Sequence, residues 1–144
     1  MSRKSDCIFC QLVAVEISAN VIYENEAVLA FLDVGPLADG HVLLIPRHHF
    51  AHIGEMPAAE AAQLAAVLPR LARALLHVTE AEGLNILQNN GASAGQVVEH
   101  VHFHLIPRRS GDGLGYRWNA RAYPPGRASE LATTYQRTLA AMTD

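Results

Sequence analysis

The run His100-Val101-His102-Phe103-His104-Leu105-Ile106 constrains this chain more than any other segment. Successive side chains of a β-strand point to opposite faces, so an extended run places the three histidines on one face and the apolar residues on the other. Alternate Cα atoms on a strand lie about 6.5 Å apart, so the three rings can converge on one group. A buried imidazole without a hydrogen-bond partner costs about 1–3 kcal/mol. Three of them in strict alternation therefore predict a functional site.

Length, composition and charge limit what kind of protein carries this run. The chain has 144 residues, of which 50% are hydrophobic and 17% charged, and its formal net charge is −3. This length suits one domain with a sizeable core. The charge provides no basic surface, so we expect no nucleic-acid partner. No apolar run approaches the ~18 residues that span a bilayer, and the segment before Cys7 lacks the apolar stretch of a secretory signal.

We therefore expect a cytoplasmic protein with no membrane partner. In that compartment, the two cysteines are metal ligands or free thiols rather than a disulfide. A redox role for Cys7-Ile8-Phe9-Cys10 is not favoured, because such motifs sit in a βαβ unit and none is visible around this segment.

Hydrophobic periodicity predicts an α+β fold with an antiparallel sheet of about five strands. The predicted strands are 21–24, 28–32, 41–46, 84–88 and 100–106. A long amphipathic helix is predicted from Pro57 to about Glu82. Pro69 should kink or split this helix, and Gly83 should stop it.

Shorter helices are predicted near the two ends of the chain. The first covers 11–18, and the last begins at Ser129 as its N-cap and ends near Met142. Between the histidine run and this last helix, a segment rich in Gly, Pro and Arg contains the aromatic residues Tyr116, Trp118 and Tyr123.

Five segments together resemble the histidine triad (HIT) family of nucleotide hydrolases and transferases. They occur in family order over about 6–109 and are Cys7-x-x-Cys10, Phe31-Leu32-Asp33-Val34, the stretch from Gly40-His41 to His48-His49, the loop from Asn89 to Gly95-Gln96, and the histidine run. The resemblance implies a HIT-like fold for residues 1–109. The resemblance also implies a homodimer. Residues 110–144 lie outside the resemblance, and we expect them to form a C-terminal extension packed on the domain or on the dimer partner.

The resemblance further implies that the middle histidine, His102, attacks the α-phosphorus of a nucleotide and carries the nucleotidyl group covalently. The implied substrate is a nucleoside phosphoramidate or a dinucleoside polyphosphate, with a purine base. Attack on phosphorus needs fixed donors for the nonbridging oxygens. His100 and His104 complete the expected catalytic histidines, and the expected donors are His104, the side chains of Gln96 and Asn89, and backbone N–H groups near Gly95 and Gln96.

By the same resemblance, Asp33 accepts hydrogen bonds from the ribose hydroxyls. The base is expected in an apolar slot formed by Ile8, Phe9, Leu12, Phe31, Leu32 and Val34. One departure concerns Val97, which stands where some family members have Ser or Thr. Losing one transition-state donor costs up to about 10²–10³ in rate, and we expect a modest effect here. We predict that His41 and His77 are structural.

Cys7, Cys10, His49 and His100 resemble the zinc site of those family members that keep both cysteines. Two thiolates and two imidazoles suit tetrahedral Zn²⁺. We expect a structural zinc and no metal in the chemistry. Two alternatives stay open: a catalytic zinc held by the three histidines of the run, which would activate water, and a nucleotide-binding module without catalysis.

Overall fold

The computed structural model describes residues 3–115 and 120–142. The chain divides into two compact units, Met1–Asp112 and Gly113–Asp144. The first unit holds a five-stranded antiparallel sheet with strand order β1-β2-β3-β5-β4. The strands are β1 (Val21–Glu24), β2 (Val28–Leu32), β3 (Val42–Pro46), β4 (Gly83–Gln88) and β5 (Phe103–Arg108). The helices of this unit are α1 (Ile8–Val13) and α2 (Ala58–Thr79). The predicted α+β class and the five-stranded antiparallel sheet are confirmed.

Helix α2 covers one face of the sheet. Its buried residues Leu64, Val67, Leu71 and Leu75 recur at spacings of three and four and pack on Val28, Ala30, Val42, Leu44 and Leu105. The prediction that Pro69 splits the helix is wrong. Both Pro69 and Ala65, the residue whose carbonyl it cannot bond, lie on the exposed side of α2, where water takes up the freed carbonyl.

Helix α1 lies on the opposite face. The sheet residues on this face alternate along the strands with those that contact α2. They pack against Cys7, Phe9 and Cys10 and are Leu29, Phe31, Leu43 and Ile45. The predicted helix over 11–18 is therefore placed too late in the chain. Burial of Phe9 and Cys10 fixes the first turn, and Val15, with a φ of 59°, turns the chain away after the last.

The histidine run is only partly a strand. β5 begins at Phe103, and His100 and His102 lie in the irregular segment before it. There the chain leaves the sheet, and the Val101 N–H bonds the carbonyl of Phe50. At its other end β5 runs through Pro107, because β3 pairs only as far as Leu105 and the proline interrupts no ladder on that side.

Two helix ends also differ from the prediction. Helix α2 stops at Thr79 with Glu80 in the left-handed region (φ 53°), so Gly83 is the first residue of β4 and not the helix stop. In the second unit, α3 (Arg127–Ala141) begins after Gly126, so Ser129 is not its N-cap.

The second unit carries an exposed apolar stripe on α3. Tyr135 and Leu139 are exposed, as is Met142 just beyond the helix. Of the predicted aromatic cluster, Tyr123 is exposed, whereas Tyr116 and Trp118 lie outside the described residues. The packing of 110–144 on the domain or on a partner stays a prediction. No helix in the described part of the chain has the length and hydrophobicity needed to cross a membrane.

Candidate functional site

A cleft of about 350 Å³ opens beside α1 and holds two histidines of the run, His102 and His104. Asp33 and Gly95 also line it. Its apolar wall includes five of the six residues predicted for the base slot, namely Ile8, Phe9, Leu12, Phe31 and Val34. The sixth, Leu32, is not among the lining residues, because alternation along β2 turns it away from the face that Phe31 occupies.

The ring of His102 is held in one tautomer by its own backbone. Its Nδ1 lies 2.7 Å from the carbonyl oxygen of His100. A carbonyl can only accept, so Nδ1 carries the proton and Nε2 keeps its lone pair. The ring of Phe9 packs edge-on against His102 with the centroids 5.2 Å apart, which further restricts the imidazole. His102 therefore presents an unprotonated nitrogen on a buried but cleft-lining ring.

His104 is held in the opposite tautomer by a chain of hydrogen bonds. The Leu37 N–H donates to Nδ1 of His41 at 3.1 Å, so the proton of His41 is on Nε2. That Nε2 lies 2.9 Å from Nδ1 of His104 and donates to it. The proton of His104 is then on Nε2. The cleft thus contains a lone pair on His102 and an N–H donor on His104, on rings whose centroids are 5.0 Å apart.

Both members of this chain are neutral at pH 7. Burial, together with the neighbouring His102 and His41, lowers the pKa of His104 to about 4 against the opposing effect of Asp33. Burial also lowers the pKa of His41, with Asp33 again opposing. A proton added to Nδ1 of His104 would face the Nε2–H of His41, and two donors cannot bond each other. The hydrogen-bond chain and the direction of the pKa shifts therefore agree.

Asp33 offers one carboxylate oxygen to the cleft. Its Oδ1 accepts the Gly35 N–H at 2.8 Å. Its Oδ2 lies 3.7 Å from Nε2 of His41, which is too long for a hydrogen bond. Asp33, His41 and His104 also have ligand atoms within 4.8 Å of one another. A metal there is disfavoured, however, because the Leu37 N–H occupies Nδ1 of His41 and Nε2 must keep its proton.

The loop between β4 and β5 supplies the rim of the cleft. Gly95 lies in it with a φ of 90°, a conformation that favours glycine. Asn89 is adjacent, since a Cβ at Gly95 would lie 3.6 Å from its Nδ2. The N–H groups of Gly95 and Gln96 donate to backbone carbonyls within the loop. Val97 lines the cleft, and its N–H makes no hydrogen bond among the described residues. The N–H of Val97 is thus a free backbone donor within the predicted region near Gly95 and Gln96.

The predicted phosphate contact of Gln96 stays a prediction, and in this structure its side-chain amide is engaged within the protein. Its Nε2 donates to the carbonyls of Ala51 at 2.8 Å and Val98 at 3.0 Å, and its Oε1 accepts the Gly91 N–H at 2.7 Å. Both of its N–H bonds are used, and the residue is only 6% exposed. Gln96 holds the loop in shape, and this geometry argues against a direct contact with substrate.

A second cluster lies beside the cleft and contains Cys7, Cys10, His49 and His100. Their ligand atoms all lie within 4.8 Å of one another. The Cys7 Sγ is 3.5 Å from Nδ1 of His100, and the Cys10 Sγ is 3.4 Å from Nδ1 of His49 and 3.7 Å from that of His100. Sulfur and nitrogen ligands of a tetrahedral Zn²⁺ lie about 3.6 Å apart. The donor set and its spacing therefore fit zinc.

His100 is prepared for that role by the same tautomer as His104, with its proton on Nε2. Its Nε2 lies 2.9 Å from the Pro46 carbonyl and donates to it, so Nδ1 turns its lone pair toward the thiols. Burial lowers the pKa of this imidazole to about 4. His100 is not exposed at all and does not line the cleft, so its contribution there is the carbonyl that holds His102.

One residue outside the lining of the cleft acts on it through a hydrogen bond. His41, predicted to be structural, is the donor that sets the tautomer of His104. The alternation of β3 contained the signal: Leu43 lies opposite His104, and His41 is two residues before Leu43 on the same face.

Comparisons with known proteins place this geometry in a family. The model of the HIT domain matches residues 14–111. The chain belongs to the HIT domain family. Protein hit of Bacillus subtilis is 40% identical over 143 residues, which cover 97% of this chain and 99% of that protein. The adenosine 5'-monophosphoramidase of Candida albicans is 41% identical over 127 residues, 85% of this chain and 84% of that one. An adenylylsulfatase of Arabidopsis thaliana is 34% identical and covers 96% of this chain and 72% of its own.

Solved structures agree on the fold. A protein from Streptococcus mutans superimposes with a TM-score of 0.92 at 41% identity, covering 96% of this HIT chain and 88% of its own. A zinc-bound histidine triad family protein from Mycobacterium smegmatis gives a TM-score of 0.72 at 36% identity, covering 94% of this chain and 96% of its own. The predicted HIT-like fold is confirmed.

Proposed function

We propose that this chain is a nucleotide hydrolase or nucleotidyltransferase that acts at the α-phosphorus of a nucleoside phosphoramidate or dinucleoside polyphosphate. The observation that carries the proposal is the fixed tautomer of His102, whose Nε2 lone pair lies in a cleft beside the Nε2–H of His104. The names of two relatives, an adenosine 5'-monophosphoramidase and an adenylylsulfatase, support this reaction class.

In the first step, Nε2 of His102 forms a bond to phosphorus. The bond from phosphorus to the leaving group breaks, and the leaving group departs with the electron pair and takes a proton from solvent. The product is a nucleotidyl-His102, whose imidazolium keeps its Nδ1–H bonded to the His100 carbonyl. In the second step, water or another acceptor attacks phosphorus, loses a proton to solvent, and returns the electron pair to Nε2.

The transition state needs donors at the nonbridging phosphate oxygens. We assign this role to the Nε2–H of His104, the N–H of Val97 and the side-chain amide of Asn89. Support comes from the position of His104 and Val97 on the cleft wall and from Asn89 beside Gly95. His104 acts as a donor rather than as a proton source, because its neutral form has no means to regain a proton through His41.

The nucleoside is proposed to lie against the apolar wall of the cleft. Phe31, Leu12 and Ile8 provide a surface for a purine, and Oδ2 of Asp33 accepts from the ribose hydroxyls. The side chain of Asp33 is 19% exposed, so a hydroxyl can reach it.

Zinc is proposed to be structural, held by Cys7, Cys10, His49 and His100. When bound, it would tie α1 to the residue whose carbonyl fixes His102. None of the proposed chemistry passes through it. His102 belongs to neither group of ligand atoms found among the described residues, which disfavours a catalytic zinc held by the histidine run.

A homodimer is proposed on the basis of the sheet edge. β4 is an outer strand that pairs with β5 alone among the described strands, and its Ile86 and Leu87 are exposed. A second copy could cover this edge, with 110–144 as the C-terminal extension. The free thiols of Cys7 and Cys10 support a reducing compartment, which we propose to be the cytoplasm.

The decisive test replaces the proposed nucleophile. His102→Ala should lower turnover of adenosine 5'-phosphoramidates by at least about 10⁴-fold, while nucleotide binding measured by calorimetry persists. The exposed His77→Ala on α2 is the matched control and should keep full activity. Trapping an acid-labile nucleotidyl adduct on wild type would support the intermediate. Activity of His102→Ala at a few per cent of wild type would refute the proposed role.

A further inference from the structure

A second cavity, of about 470 Å³, adjoins the proposed reaction centre. It shares Ile8, Val97 and Val98 with the cleft, so the two adjoin at these three side chains. Asp33 and Phe31 lie in the cleft and not in the second cavity. If the nucleoside occupies the apolar wall of the cleft as proposed above, this adjoining cavity offers room for the other substituent on phosphorus.

The charged groups of the second cavity are two carboxylates and one ammonium. Asp6, Glu99 and Lys4 line it, which leaves one net negative charge. Neither carboxylate makes a hydrogen bond or an ion pair with any residue in the described ranges 3–115 and 120–142. Arg3, which directly precedes Lys4 in the chain, is engaged by Glu16 and does not line the cavity.

The position of the two carboxylates is set by the thiol and imidazole cluster. Asp6 directly precedes Cys7, and Glu99 directly precedes His100. The Cys7 Sγ and the Nδ1 of His100 lie 3.5 Å apart and are both buried, so the cluster brings the two carboxylates to the same cavity. Lys4 is tied to the same element, since its carbonyl accepts the Cys7 N–H at 3.1 Å.

We infer that this cavity receives the leaving group of the substrate, and that Asp6 and Glu99 make it selective for leaving groups that carry a positive charge. The inference rests on the proposed function and narrows its substrate class. A phosphoramidate whose amine substituent bears a second ammonium group is favoured. Sulfate and polyphosphate leaving groups, which are anionic, are disfavoured by the unpaired carboxylates.

The test uses two adenosine 5'-phosphoramidates of nearly equal shape, the N-(2-aminoethyl) and the N-propyl compounds, which differ by an ammonium in place of a methyl group. The measured quantity is the ratio of their kcat/KM values. Intrinsic reactivity differs between the compounds, but it cancels when the ratio is compared between variants. Asp6→Asn with Glu99→Gln should lower the ratio about three- to tenfold, and Lys4→Gln should raise it about two- to threefold.

Two further measurements make the result decisive. Glu26→Gln, a charge-neutralising change in the exposed turn between β1 and β2, should leave the ratio as in wild type. In wild type itself, the ratio should fall as salt rises from 50 to 500 mM. Over this range the Debye length shortens from about 14 to about 4 Å, which weakens the attraction between the carboxylates and the ammonium group. This salt series needs no variant to fold.

An unchanged ratio in the double variant, or a salt-independent ratio in wild type, would overturn the inference. Such a result leaves the proposed function intact if wild type still cleaves the N-propyl compound and His102→Ala does not. If wild type cleaves neither compound, the proposed function fails as well, so the two failures are told apart by the N-propyl rate.

Discussion

The thiol cluster and the cleft use imidazoles from the same short run, yet they prepare them for different chemistry. His100 donates from Nε2 to the Pro46 carbonyl and turns Nδ1 toward two thiols. His102, two residues later, donates from Nδ1 to the His100 carbonyl and leaves Nε2 to the cleft. His104 accepts at Nδ1 and keeps a proton on Nε2. The hydrogen-bond partner of each ring decides which nitrogen is available: a backbone carbonyl for His100 and His102, and the side chain of His41 for His104.

Burial separates the two regions as well. Cys10 is 2% exposed and His100 is not exposed, whereas the cleft is open and lined on one side by exposed side chains such as Val34 and Val97. A closed ligand set suits a structural metal, and an open cleft suits a substrate that enters and leaves. We therefore expect the thiol cluster to contribute mainly stability and the cleft to contribute the chemistry. The two regions are joined by the backbone of His100 and by the ring of Phe9, which packs on both His100 and His102.

The largest difference between substitutions in the two regions is expected in thermal stability. Cys10→Ala should abolish zinc binding and lower the melting temperature by about 10 °C or more, because a structural metal contributes directly to folding. His102→Ala should lower it by a few degrees only. Zinc content by elemental analysis and scanning calorimetry measure the two effects. If wild type carries no zinc when purified, or if both variants melt alike, the division of roles is wrong.

The next largest effect is expected on catalysis, from His41, the residue that sets the tautomer of His104. His41→Ala removes the donor to Nδ1 and frees the His104 proton to move to the wrong nitrogen. We expect kcat to fall about 10²-fold with KM nearly unchanged, since the loss concerns a donor used in the transition state. Steady-state kinetics test this, with His77→Ala as the control. A rise in KM at constant kcat would instead assign His41 to substrate binding.

A smaller effect is expected on the pH dependence of stability. The folded-state pKa of His104 is about 4, below its ordinary value of 6.5, so the unfolded chain binds more protons between these two values. The contribution of His104 is therefore fully present above pH 6.5 and is lost as pH falls toward 4. The urea midpoint of wild type should decrease between pH 7 and pH 5, and His104→Gln should show a shallower decrease. Parallel curves would contradict the lowered pKa.

The sequence predicted those features that follow from periodicity within one segment. Strands β1 and β2 match the predicted ranges, because alternation and turn residues define them locally. The placement of His104 opposite the helix α2 face follows from the same alternation. The long helix was also found, although its ends depend on a left-handed Glu80 that the sequence does not mark.

Features that depend on distant backbone groups could not be predicted in this way. The tautomers of His100 and His41 are set by Pro46 and Leu37, and no pattern in the sequence pairs these residues. The departure of His100 and His102 from strand geometry also involves a distant backbone group, since the Val101 N–H between them bonds the carbonyl of Phe50. The hydrogen bonds of Gln96 are a further example, because nothing in the sequence shows that its side-chain amide bonds three backbone groups.

The smallest expected effect concerns Val97, which borders the cleft on the side of the phosphate donors and is 91% exposed. Val97→Thr keeps the shape of the side chain and adds a hydroxyl, which pays no burial cost at so exposed a position. A donor there should raise kcat/KM for the N-propyl phosphoramidate about two- to tenfold, below the 10²–10³ of a fully desolvated donor. Val97→Ala controls for the lost apolar surface. If Val97→Thr leaves the rate unchanged while Val97→Ala lowers it, the side chain acts as a wall of the cleft and the backbone N–H is sufficient for the phosphate.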